Sequence, residues 1–98
     1  LLLYNFEWDS VKNYLNIRKH GISFELSASV FSDPRALTIF DDEHSETEER
    51  WITLGISQTG ILIVAHHTFE VINETQTRIR IFSARKASQK EHHQYGRM

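Results

Sequence analysis

Cysteine is absent from the sequence. That excludes a disulfide framework and thiolate chemistry, and it fits a reducing compartment such as the cytoplasm. Proline occurs once and glycine four times; no low-complexity segment or linker divides the chain, and no glycine-rich phosphate loop or nucleophile elbow is present. No apolar run approaches the ~20 residues a membrane span needs, and the first residues lack a signal-peptide pattern. Leu1–Leu3 carry no functional weight. Positive charge is not in excess either: the formal net charge is −2, which argues against a generic nucleic-acid binder.

What is present is a small chain of 98 residues with 40% hydrophobic and 24% charged side chains, enough for one domain (residues 1–98) with a single core. The near-neutral total hides two opposed patches. Residues 41–50 carry six acids (Asp41, Asp42, Glu43, Glu46, Glu48, Glu49) against Arg50, a local −5. Residues 77–98 carry Arg78, Arg80, Arg85, Lys86, Lys90 and Arg97 against Glu91, a local +5. The two either neutralise each other within the fold, the reading favoured here, or have separate partners.

Hydrophobic periodicity orders the elements. Tyr4–Trp8 alternates as a short strand. Asp9 is a natural N-cap for a helix carrying Val11, Tyr14, Leu15 and Arg18, with Lys19 and His20 in its last turn and Gly21 as its stop. Ser23 caps a second helix running to Phe31, ended by Asp33-Pro34. The period then shortens: strands at Ala36–Phe40, Trp51–Ile56, Ile61–Thr68 and Thr77–Ala84, with a tight turn at Ser57–Gly60 and a polar connection at Val71–Gln76. A helix over Lys86–Tyr95 ends near Gly96. The expected architecture is α+β: an antiparallel meander of about four to five strands, with two N-terminal helices and a C-terminal helix on one face.

The closing strand holds the most informative pattern. In Arg78-Ile79-Arg80-Ile81, the isoleucines face a core and the arginines face outward, roughly 6–7 Å apart. Two permanently charged forks at that spacing match successive phosphates, and Arg85 adds a third near the strand's end. A solvated strand face paired with nearby acids fits the same pattern. Among the six histidines, His66-His67 point to opposite strand faces and His92-His93 lie about 100° apart on a helix, so neither pair has ligand spacing and no metal site is expected. His44 stands beside Ser45 with Glu46, Glu48, Glu49 and Arg50 following; imidazole titrates near neutrality and suits general acid or base work. From spacing alone, a simple turn into the next strand is the better account of His44 and Ser45, and a helix end is a sufficient one for Lys19 and His20.

Taken in order, Phe6-Glu7-Trp8-Asp9, Asn16, Lys19-His20-Gly21, Ser23-Phe24-Glu25, Val30-Phe31, Asp33-Pro34, His44-Ser45, Glu49-Arg50, Ile79-Arg80-Ile81 and Ser83-Ala84-Arg85-Lys86 resemble the BrnT toxins of bacterial type II toxin–antitoxin modules. The resemblance covers about Phe6 to Tyr95. It implies a RelE-like fold, an RNA-cleaving activity that arrests translation, and a BrnA-like ribbon-helix-helix antitoxin through which the pair binds operator DNA. No cofactor is implied. Two departures remove positive charge: Ile61 stands where a basic residue is usual, and Phe69-Glu70-Val71 intervenes after Thr68 where arginine commonly follows. For metal-independent attack by the RNA 2′-OH, the expected catalytic residues are His44, Arg80, Arg78 and Glu49. Arg85, Lys19, His20, Arg50 and Lys86 are the expected substrate-binding residues. A non-catalytic role in binding RNA or antitoxin is the alternative.

Overall fold

A computed structural model describes residues 3–96; Leu1, Leu2, Arg97 and Met98 lie outside it, and with them the start of the leucine run and the Arg97 share of the basic C-terminal segment. Strand β1 (Leu3–Glu7) leads into α1 (Ser10–His20), then α2 (Phe24–Ala28) and a 3-10 turn at Ser29–Ser32. Strands β2 (Leu37–Phe40), β3 (Trp51–Ile56), β4 (Leu62–His67), β5 (Glu70–Val71) and β6 (Gln76–Lys86) follow, and α3 (Gln89–Gly96) closes the chain.

Local chemistry sets the helix ends. The Asp9 carboxylate accepts from Lys12 N at 2.9 Å, and Gly21 ends α1 in the left-handed region at φ 70°, where a side chain would be strained. Ser23 caps α2 through Leu26 N. The helix expected to run on to Phe31 stops after one turn, because the hydroxyls of Ser27 and Ser29 donate back to Phe24 O and Leu26 O and the backbone tightens into the 3-10 turn. The last helix starts later than expected. Ser88 and Glu91 form a reciprocal capping box, Ser88 N donating to Glu91 Oε1 at 2.8 Å and Glu91 N to Ser88 Oγ at 3.2 Å, so β6 extends to Lys86 before α3 begins.

The sheet runs β1-β6-β4-β3-β2, with β5 also paired to β6. The β2–β3–β4–β6 pairs are antiparallel, as the meander requires, but β1 lies parallel to β6. The sheet is therefore mixed. Short turns dictate antiparallel neighbours only for consecutive strands, and β1 reaches β6 from the other end of the chain.

Pairing register assigns the two faces. Ile63, Ile79, Ile81 and Ala84 pack with Ile22, Phe24 and Val30 beneath α1 and α2. Leu54, Leu62 and Val64 pack with Ala87 and Tyr95 on the other side. The sequence pattern predicts all three helices on one face; instead α3 covers the face opposite α1 and α2. Its Tyr95 Oη donates to Asp33 Oδ2 at 2.6 Å, and Ile56 N donates to the same oxygen at 2.8 Å. Burial pushes the Asp33 carboxyl up, but these donors outweigh it and hold it below its usual range. Gly55 lets the 3-10 turn approach β3: a Cβ there would lie 3.1 Å from Val30 Cβ and Val30 O.

One irregularity decides where the arginines go. His66 pairs with Ser83 and His67 with Ile81, so β6 carries an extra residue, Phe82, at this point. Strict alternation would send Arg85 to the face of Ile79 and Ile81. The bulge resets the count and returns Arg85 to the face of Arg78 and Arg80.

Candidate active site

The face of β6 opposite α1 presents Arg78, Arg80, Phe82, Ser83 and Arg85 in sequence, with His66 beside Ser83 on β4. Thr68 fixes the backbone of Arg80 from both sides: Thr68 N donates to Arg80 O at 2.9 Å, and Arg80 N donates to Thr68 Oγ1 at 3.0 Å. Asn16 does the same for Ala84. Its side-chain amide donates to Ala84 O and to Ile22 O, each at 2.8 Å, and accepts from Ala84 N at 3.2 Å. β1 pairs with β6 only as far as Arg80; beyond it, Asn16 satisfies the strand's backbone as a neighbouring strand would.

The acidic segment folds over this face. Its base is cinched: Asp41 N donates to Arg50 O at 2.8 Å, Ser45 Oγ donates to Asp41 O at 2.6 Å, and Arg50 N donates to Ser45 Oγ at 3.0 Å. The buried Asp41 carboxylate meets His44 Nδ1 at 2.9 Å, while the His44 ring is largely exposed. An acceptor-only carboxylate fixes Nδ1 as the protonated nitrogen and leaves Nε2 facing outward. Arg50 lies with its guanidinium carbon 4.4 Å from the Phe82 ring centre. His66 is half-buried with its ring 6.5 Å from that of Phe82. Burial, then the Arg85 charge, lowers its pKa, and the charges of Asp41, His44 and Glu91 also reach it. These groups therefore gather around one centre.

Every cation on this face has a carboxylate neighbour. Arg78 donates to Glu70 at 2.8 Å and sits 3.4 Å from Glu7. Arg80 contacts Glu48 at 2.5 Å. Arg85 grips Glu91 through two parallel bonds of 2.8 and 2.9 Å, and that hydrogen-bonded pairing draws Glu91 down to about 2. A cleft of about 330 Å³ lies at the Arg78–Arg80 end, lined by Glu48, Glu49, Thr68 and Phe69 among others. The acidic segment thus does reach the arginine strand.

The structure brings His44, Arg50, Arg78, Arg80 and Arg85 to one face, and Glu49 lines the cleft. It leaves others elsewhere. Lys19 shares an exposed surface with Tyr14, Leu15 and Arg18 on α1, in the helix layer, and neither Lys19 nor His20 lines the cleft. Lys86 pairs with Ile63 and so projects from the helix side. Sequence reasoning missed His66, Asp41, Phe82 and Glu48. His66 was readable in part, since alternation along β4 places it opposite His67; the others depend on contacts across the sheet. Among the described residues, no group of three His, Cys, Asp or Glu side chains is arranged to hold a metal ion, and no helix is long and apolar enough to cross a membrane.

Comparison with known proteins agrees with this architecture. The crystal structure of the ribonuclease toxin BrnT of Brucella abortus superposes with a TM-score of 0.57 at 24% identity, over 89% of this chain and all of that one; it shares the fold. No curated protein sequence matches the chain significantly. The family model described as the ribonuclease toxin, BrnT, of type II toxin–antitoxin systems matches residues 8–91. That span takes in both helices of the first layer, the cinched acidic loop and the arginine strand, and on it the chain belongs to the BrnT family of ribonuclease toxins.

Proposed function

We propose that this protein cleaves RNA without a metal ion, using the substrate's own 2′-hydroxyl as nucleophile. The observation that carries the reading is the gathering of two imidazoles, His44 and His66, with Arg50, Arg80 and Arg85 on one face of the sheet. His66, whose neutral form is favoured by burial and by Arg85, takes the 2′-OH proton. The 2′-oxygen then bonds to phosphorus as the bond to the 5′-oxygen breaks. His44 acts in its imidazolium form: with Nδ1–H held by Asp41, it gives the Nε2 proton to the departing 5′-oxygen and is left neutral. Guanidiniums stabilise the charge that builds on the phosphorane: Arg80 and Arg78 first, with Arg50 and Arg85 in support. Glu49 lines the cleft as a second-line orienting group. The products are a 2′,3′-cyclic phosphate and a 5′-OH.

A toxin of a type II module has an antitoxin partner. The partner we infer is a BrnA-like ribbon-helix-helix protein that brings the pair to operator DNA, and the site of action is the cytoplasm, where translated RNA is found. One observation favours the binding-only alternative: each strand arginine rests against a carboxylate. End-group analysis separates the two. RNA incubated with the protein in excess chelator should acquire new 5′-OH and cyclic phosphate ends; RNA that is retarded on a gel but remains intact would refute catalysis.

A further inference from the structure

Of the three arginines on the strand, two have carboxylate partners built into the fold. Glu91 holds Arg85 bidentately and also caps α3. Glu70 is paired with Arg78 strand to strand. The third differs. Glu48 belongs to the tip of the acidic loop, beyond the cinch made by Asp41, Ser45 and Arg50. Among the described residues 46–49, it is the one whose side chain forms an ion pair. A single oxygen, Glu48 Oε1, lies 2.5 Å from Arg80 Nη2 and 3.5 Å from Arg50 Nη2.

The two arginines it joins are held independently of it. Arg80 is fixed by Thr68 through its backbone, and Arg50 by the Ser45 hydroxyl and by stacking on Phe82. The Arg80 backbone and the Arg50 guanidinium are thus placed without help from Glu48, and its carboxylate draws the Arg80 guanidinium toward that of Arg50. Such a convergence is costly without an anion, since like charges repel. The carboxylate also leaves the fork incomplete: Arg50 Nε is buried with no hydrogen-bond partner. A tetrahedral phosphate offers more acceptor oxygens than one carboxylate oxygen and suits paired guanidiniums better.

We propose that Arg50 and Arg80 form one phosphodiester subsite in which the Glu48 carboxylate stands in for the phosphate, so that RNA binds by displacing Glu48. The inference rests on the RNA-cleaving reading above and names the contact that substrate must break. The displaced tip, residues 46–49, swings on the Asp41–Arg50 cinch without disturbing the sheet. In the free protein Glu48 neutralises the two cations and discourages indiscriminate binding to polyanions.

The test uses the full chain, a labelled 2′-O-methyl RNA oligonucleotide that cannot be cleaved, and inorganic phosphate as competitor. Glu48→Gln and Glu48→Ala are compared with Glu43→Gln and Glu46→Gln, which remove the same charge from exposed positions of the same loop. Losing a resident ion pair that the ligand must break should tighten oligonucleotide and phosphate binding roughly three- to fivefold in both Glu48 variants. The two control variants, acting only through long-range charge, should change it less than about twofold at physiological salt. Thermal melting confirms that all four remain folded. Equal effects at positions 43, 46 and 48 would overturn the proposal. Glu48 variants that gain phosphate affinity yet cut no RNA would uphold this subsite while defeating the cleavage mechanism. A parent protein that cuts RNA, with Glu48 variants binding no more tightly, would do the reverse.

Discussion

Truncating Asn16 to alanine should be among the most damaging single changes in this chain. The side chain is buried and makes three hydrogen bonds, two donated to Ile22 O and Ala84 O and one accepted from Ala84 N. Alanine leaves two carbonyls and an N–H without partners in a site that also loses the volume of an amide. A buried backbone group left unpaired costs about 1–3 kcal/mol. Allowing for partial relaxation and water entry, the three together should cost about 3–6 kcal/mol, against a total stability of about 5–15 kcal/mol for a domain of this size. Urea unfolding followed by tryptophan fluorescence measures it: with a slope of about 1–3 kcal/mol per molar, the midpoint should fall by at least about 1 M. Asn16→Asp keeps the acceptor for Ala84 N but turns a carboxylate on two carbonyls, so it should fare no better than alanine. A loss under about 1 kcal/mol in Asn16→Ala would show that the Ala84 backbone is satisfied some other way, and the account of how β6 is held past β1 would be wrong.

His67 supplies a second prediction. It is buried, with Nδ1 donating to Thr68 O at 2.8 Å and Nε2 accepting from the Thr53 hydroxyl at 2.6 Å, and burial lowers its pKa to about 4. Its unfolded form binds a proton near 6.5, so between those values the unfolded state holds more protons and stability falls as pH falls. The loss should reach about 2 kcal/mol by pH 5 and about 3 kcal/mol by pH 4; an imidazole that titrates near 6.5 by NMR in the folded protein would refute it. Gly55→Ala places a methyl 3.1 Å from Val30 O and Val30 Cβ, and should destabilise by about 1–3 kcal/mol in the same urea assay. Arg80→Ala and His44→Ala should each reduce RNA cleavage by about 10²–10³-fold with the fold intact. Wild-type rates in either would remove that residue from the mechanism.

Much of the fold could be read locally. The Asp9 and Ser23 caps, the Gly21 stop and the period-2 runs of β3, β4 and β6 depend on residues within a turn of each other, and each lies where its chemistry indicated. The ordered motifs from Phe6 to Tyr95 also pointed to the right family. What escaped depends on contacts between distant segments. The parallel pairing of β1 with β6 joins the two ends of the chain, and the placement of α3 on the opposite face follows from Tyr95 reaching Asp33. The capping box Ser88–Glu91 is legible in the sequence and places the helix start after Lys86. At the site, Arg78 and Arg80 were readable from alternation alone. Lys19 and Lys86 were not, because a basic residue at a helix end or strand end can lie on either side of a sheet until the packing is known.

The extra residue at Phe82 uncouples the length of β6 from the placement of its side chains. Deleting Ser83 would leave plain alternation from Ile81 through Phe82 to Ala84, so Ala84 would still face the isoleucine layer and Arg85 would still share a face with Arg78 and Arg80. Within this strand, therefore, loss of that one residue should be tolerated, and natural variants should differ here in how many residues they carry while keeping the last arginine on the same side.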